Sequence, residues 1–271
     1  MDFKRKLNQY FKKKIQAFLV YTKVSQATYI IIIASVVGIL AGFGAVGFRM
    51  LISFFQEIAI GTKESVVPAL KELPWYVKLI IPVIGGAIVG PLVYFFAREA
   101  KGHGVPEVMQ DVALKNGVIR PRVVFVKSLA SALTIGTGGS VGREGPIVQI
   151  GSAIGSTLGQ WIKVSPERLK ILVGCGAAAG IAATFNAPIA GAFFALEVIL
   201  GNFALLSFSP IVISSVLATA VSRAFLGDYP AFIVPEYSLV SVWEILLYVC
   251  LGIVAGGVAV AFLMTFPSRI I

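Results

Sequence analysis

The chain has 271 residues, of which 57% are apolar and only 13% charged, with a mean hydropathy of +0.89. A soluble domain carries about 25% charged residues, so the composition is that of a protein built for lipid. The formal net charge of +10 does not indicate nucleic-acid binding, because no RNP, zinc-finger or helix-turn-helix signature accompanies it.

The basic residues are concentrated at the start. Lys4, Arg5, Lys6, Lys12, Lys13, Lys14 and Lys23 fall in the first 23 residues, with Phe3, Leu7, Phe11, Ile15 and Phe18 at helical spacing among them. This pattern predicts an amphipathic helix over residues 1–24, lying on an anionic leaflet. The positive-inside rule then places the N-terminus in the cytoplasm. No compact apolar core with a small-residue cleavage site follows, so the segment does not read as a signal peptide.

Apolar runs long enough to span a bilayer are expected at 28–55 and 75–97, with Trp75 and Tyr76 at an interfacial aromatic position. From 102 to 201 the pattern changes. The apolar pieces 105–114, 123–135, 147–161, 169–183 and 187–200 each read as too short or too interrupted for a simple crossing. Two conventional spans follow, at 206–226 and 240–264. Broken helices at membrane depth leave N–H and C=O groups without water, and persist where those groups line a cavity or hold an ion. The middle hundred residues are therefore the expected functional region. Cys175 and Cys250 read as small buried hydrophobes. Glycines four apart (38/42, 86/90, 151/155/159, 176/180, 252/256) read as points of close helix packing.

Three segments carry the chemistry. Gly102-His103-Gly104-Val105-Pro106-Glu107 and Gly142-Arg143-Glu144-Gly145-Pro146 each lead through glycine into a proline suited to a first helical turn. Phe185-Asn186-Ala187-Pro188 opens the helix that carries Glu197. Each predicts a helix starting inside the membrane, with exposed N–H groups and the positive dipole end at the break. Such termini bind anions through partial charges, weakly enough to release them. Glu144 stands at one of them. Its carboxylate is itself an anion, so it can occupy the site and vacate it on protonation or rotation, which makes it the candidate gate.

Enzymatic readings fit poorly. The run Gly136-Thr137-Gly138-Gly139-Ser140-Val141-Gly142 lacks the Lys-Ser/Thr of a phosphate-binding loop. A single histidine, His103, argues against a metal site and pairs with no identifiable serine nucleophile. No cofactor is expected, the ligand being a small anion.

Taken together, GxGxPE at 102–107, GREGP at 142–146 and FNAPxAG at 185–191 resemble the CLC family of chloride channels and proton-coupled chloride transporters. The resemblance runs from the N-terminal basic segment to the end of the chain. It implies an all-α integral membrane fold of inverted repeats and a homodimer with an anion pathway in each subunit. It also implies that Glu144 is the gating glutamate and that the backbone of Gly142, Arg143, Gly145 and Pro146 holds the anion together with residues 102–106. Lys127 matches a basic position that raises the potential near the pathway without touching the ion.

Three departures shape the functional expectation. The family commonly has serine where this chain has His103, which leaves anion selectivity open. Coupled members carry two adjacent glutamates where this chain reads Glu197-Val198, so the proton relay is expected to be lost and passive chloride conduction to follow. The second repeat's GxFxP motif and inner tyrosine are not found. The chain thus reads as a first repeat over 25–230 and, at 231–271, a linker with the first helix of a second, incomplete repeat. On this reading the missing repeat is a possible partner chain, and the chain alone does not conduct normally. A proton-coupled antiporter, and a non-conducting fragment or assembly partner of a split protein, are the competing expectations.

Overall fold

A computed structural model describes residues 26–62, 66–96, 104–228 and 241–265. The expected basic helix at 1–24, and Gly102 and His103, lie outside the described residues. Among those described, all regular structure is helical: α1 (Gln26–Ile60), α2 (Val66–Glu72), α3 (Trp75–Phe96), α4 (Gly104–Leu114), α5 (Pro121–Gly136), α6 (Glu144–Ile162), α7 (Pro166–Phe185), α8 (Pro188–Phe194), α9 (Leu205–Leu226) and α10 (Glu244–Thr265). A single π turn, Ala195–Ile199, extends α8.

Contacts divide the chain into residues 1–231 and residues 232–271. The second unit contributes α10, a 22-residue apolar helix on which Cys250 is exposed, contrary to the burial expected of it, while Cys175 is buried as expected. In the first unit, α1, α3, α7 and α9 are long and apolar enough to cross a membrane; α10 is as well.

The core of the first unit is α6 against α7, and backbone contact sets its register. A Cβ on Gly151 would fall on the carbonyl oxygen of Gly176, and one on Gly176 would fall on that of Gly151. A Cβ on Gly180 would lie 2.6 Å from the oxygen of Ile147. Only glycine permits two helices to approach this closely, which is how small residues drive association where lipid is as apolar as leucine. The pairings 151/176 and 147/180 make α6 and α7 antiparallel.

Two other long helices, α9 and α1, run parallel to α7. Ser214 Oγ of α9 donates to Cys175 O at 3.0 Å and Ser222 Oγ to Ala183 O at 2.7 Å. In α1, Gly38 and Gly42 face the backbone of Ser214 and Ala218. These hydroxyls satisfy themselves across helices, as polar groups buried away from water must. At one end of this bundle lie the N-terminus of α6 and the C-termini of α7 and α9. The register puts Glu144 about level with Val46 of α1, well short of that helix's end at Ile60.

Two further expectations need correction. The run 169–183 is no interrupted piece. The segment forms the continuous 20-residue α7, because Pro166 begins it a turn earlier and its glycines are packing points against α6, Ile211 of α9 and Leu200, with no break in the helix. Gly86 and Gly90 have no neighbouring atom at the Cβ position. The close contact on α3 is made by Gly85, where a Cβ would overlap the Thr137 side chain. Gly252 and Gly256 belong to α10.

Candidate functional site: two helix N-termini in contact

Glu144 is the first residue of α6, with Arg143 as N-cap and no side-chain cap. The first bond back into this turn is Ile147 N to Arg143 O at 3.2 Å, and Pro146 has no N–H. The amides of Glu144 and Gly145 are therefore left without intrahelical acceptors, which is the anion-binding feature of a helix start.

The start of α4 is brought directly against it. Gly104 has φ +36°, a left-handed conformation that glycine alone adopts at no steric cost. A Cβ there would lie 2.6 Å from the Cα of Gly145. Two segments 41 positions apart in sequence thus place the positive ends of two helix dipoles in backbone contact. Val105 is half-buried beside Gly104, Pro106 is exposed, and Pro146 is buried.

The Glu144 side chain is exposed and folds back over Gly142. A Cβ on Gly142 would overlap Glu144 Oε2 and lie 3.1 Å from its Cδ. Arg143 has its guanidinium carbon 5.2 Å from the Phe185 ring centroid and both Arg49 and Glu144 within electrostatic reach. Phe185 closes α7, and Asn186 follows in the left-handed conformation, φ +56°. Asn186 Oδ1 accepts from Arg223 Nε at 2.7 Å, and its Nδ2 donates to Asp228 Oδ1 at 2.8 Å. This pairing holds the α7–α8 corner to the end of α9.

A second polar cluster lies one turn further in. Lys127 Nζ of α5 donates to Glu107 Oε2 at 2.8 Å, and Gln149 Nε2 of α6 donates to the same oxygen at 2.7 Å. Lys127 is therefore held in an ion pair, which tempers the simple positive potential expected of it. Nothing in local spacing singles out Glu107's partners, which are 20 and 42 residues away; only the shared motif ending in Glu107 marks the residue.

Glu197 and Val198 sit apart from Glu144. They lie on the π turn, which runs back along α7 until Leu200 packs 3.0 Å from the Cβ position of Gly174. Glu197 is exposed and Val198 half-buried. No group of three or more potential metal ligands occurs among the described residues.

Broken helices whose N-termini meet inside a bundle of apolar spans define a multi-pass integral membrane protein. Residues 85–267 match the model of the voltage-gated chloride channel family, and the chain belongs to that family. It is 34% identical over 228 residues to a putative ClcB-like chloride channel protein of Ralstonia nicotianae, covering 83% of this chain and 53% of that one. It is also 34% identical over 240 residues to the H+/Cl− exchange transporter ClcA of Vibrio parahaemolyticus, covering 86% and 50%. Among solved structures it resembles a slow cyanobacterial Cl−/H+ antiporter, with TM-score 0.69, 27% identity, and coverage of 85% of this chain and 54% of the other. A CLC-type fluoride/proton antiporter gives TM-score 0.70 at 25% identity, covering 88% and 58%. The chain spans about half the length of these four relatives.

Proposed function

We propose that this chain forms one half of a passive chloride pathway, with the joined starts of α4 and α6 as the anion site and Glu144 as its gate. The observation that carries the proposal is the backbone contact of Gly104 with Gly145. It concentrates two sets of free amides and two positive dipole ends without placing a full charge on the ion, the condition for binding that still allows release. The Glu144 carboxylate, lying at the same terminus, competes with the anion for those donors. The backbone of Gly102 to Pro106 and Gly142 to Pro146 lines the site in this reading, and His103 sets its selectivity.

Uncoupled conduction follows from Val198, a side chain that cannot carry a proton, at the position where coupled members of the family have a second glutamate. The competing reading, proton-coupled exchange, is favoured by the kinship to the Vibrio exchange transporter and to both antiporters of known structure. The conducting form is taken to be the full-length protein, as a homodimer with the N-terminus in the cytoplasm. Chloride efflux from liposomes with simultaneous recording of external pH separates the two. Efflux of the full-length protein without proton movement supports the channel. Stoichiometric proton uptake overturns it in favour of exchange, and absence of efflux from the full-length protein overturns both.

A further inference from the structure

We propose that the α4–α5 and α6–α7 turns form one basic platform that binds the phosphate headgroup of an anionic phospholipid. The two turns are tied together at the end of the bundle opposite Glu144. Ser156 Oγ of α6 donates to Gly117 O at 2.6 Å and accepts from Ile119 N at 2.9 Å, and Gln160 Nε2 donates to Ile119 O at 3.5 Å. A Cβ on Gly117 would lie 3.4 Å from the amide nitrogen of Lys170. Cations follow each of these contacts. Arg122 is three residues after Ile119, Lys163 is three after Gln160, and Lys170 stands at the contact itself. Arg120 and Arg168 lie at the same end and have further contacts within the fold. Helix α1 begins here too, its Tyr29 within electrostatic reach of Arg168.

The local charge balance calls for an anion from outside the fold. Among the described residues, the carboxylates of these two turns are Asp111 and Glu167. Asp111 is buried and paired with Lys115 at 2.7 Å, and Glu167 is hydrogen-bonded within its own first turn. Arg122 and Arg168 stand in the first turns of α5 and α7, at the positive ends of those dipoles, where a cation is disfavoured. The first turn of α5 has no acid to offset its arginine. The surroundings select a lipid over a soluble anion. Trp161 and Phe125, close in sequence to Lys163 and Arg122, are 73% and 74% exposed. Aromatic rings interleaved with cations are the composition of the headgroup level of a bilayer. A soluble anion would leave that apolar surface in water, whereas the acyl chains of a bound phospholipid cover it.

The test is photolabelling of the full-length protein in phosphatidylcholine liposomes that carry a trace of photoactivatable phosphatidylglycerol, with the labelled peptides mapped by mass spectrometry. Label should concentrate on the two turns. Unlabelled phosphatidylglycerol should compete it away, while inorganic phosphate at the same concentration should not. Arg122→Gln and Lys163→Asn should each lower the labelling roughly fivefold, and the double variant about 25-fold. Asparagine suits the left-handed backbone of Lys163, φ +58°. The charge-keeping changes Arg122→Lys and Lys163→Arg should label like wild type, which separates loss of charge from loss of fold. Equal loss in the charge-keeping variants makes the effect structural and overturns the proposal. Label spread evenly over the lipid-exposed helices, α3 included, means ordinary boundary lipid and overturns it as well. Competition by phosphate as effective as by phosphatidylglycerol overturns the lipid assignment, and unchanged labelling of the neutral double variant overturns the platform.

Discussion

Replacing Gly142 by alanine tests the gate without touching the gate's own chemistry. The three atoms nearest the new methyl all belong to the Glu144 carboxyl group, and the methyl overlaps Oε2. Gly142 is not in the left-handed region, so alanine strains no backbone. Only the flexible end of Glu144 must retreat. Leaving its rotamer costs about 0.5–1.5 kcal/mol, and moving a carboxylate from a helix start forfeits about 0.3–1 kcal/mol more. A closed state destabilised by about 1–2 kcal/mol raises the open population roughly 5- to 30-fold. Chloride efflux of Gly142→Ala in the full-length protein should rise accordingly, up to the ceiling set by Glu144→Ala. Gly86→Ala, at a position with no neighbouring atom, is the control and should leave efflux unchanged. If Gly142→Ala conducts like wild type while Glu144→Ala conducts faster, the folded-back carboxylate is not the obstruction and the reasoning fails.

Three further outcomes are expected. Gly176→Ala drives a methyl into the backbone of Gly151 and should destabilise the protein by about 1–3 kcal/mol, read as a lower unfolding temperature in detergent; an unchanged temperature would show that α6 and α7 separate freely. Ser156→Ala removes the acceptor of Ile119 N at 2.9 Å and the donor to Gly117 O at 2.6 Å. Leaving these groups buried and unpaired should cost about 1–3 kcal/mol, whereas a neutral result in the same thermal scan would mean the α4–α5 turn re-pairs. Val198→Glu, in the full-length protein, should introduce chloride-driven proton movement; pH traces as flat as wild type would show that the valine is not what uncouples conduction.

How far the sequence foretold this molecule depended on the range of the interaction concerned. The helix starts at Gly104 and Glu144 were legible because glycine and proline act on the residues beside them, and those starts appear where the motifs put them. Their mutual contact was implied only by the shared expectation of an anion site. The α7 helix was misjudged because its glycines, 174, 176 and 180, look like interruptions in one dimension. In three dimensions they are the points at which α6, Ile211 of α9 and Leu200 come closest. The same four-residue spacing at Gly86 and Gly90 carries no contact, so spacing alone does not identify a packing face.

The site's second layer was less accessible. Lys127 was recognised as a basic position, but its partner Glu107 and the third member Gln149 meet only through tertiary packing. The π turn at Ala195–Ile199 has no local marker such as an inserted proline, and it changes how Glu197 and Val198 are presented. Similarly, nothing local to Asn186 marks the partners of its side chain, Arg223 and Asp228.

The central claim, that Glu144 blocks an anion pathway at the joined helix starts, is tested most directly by chloride efflux from liposomes carrying the full-length protein with Glu144→Ala, compared with wild type at neutral pH. The account predicts faster efflux from the variant at equal protein content. Efflux equal to or slower than wild type, from a variant of unchanged thermal stability, would contradict it.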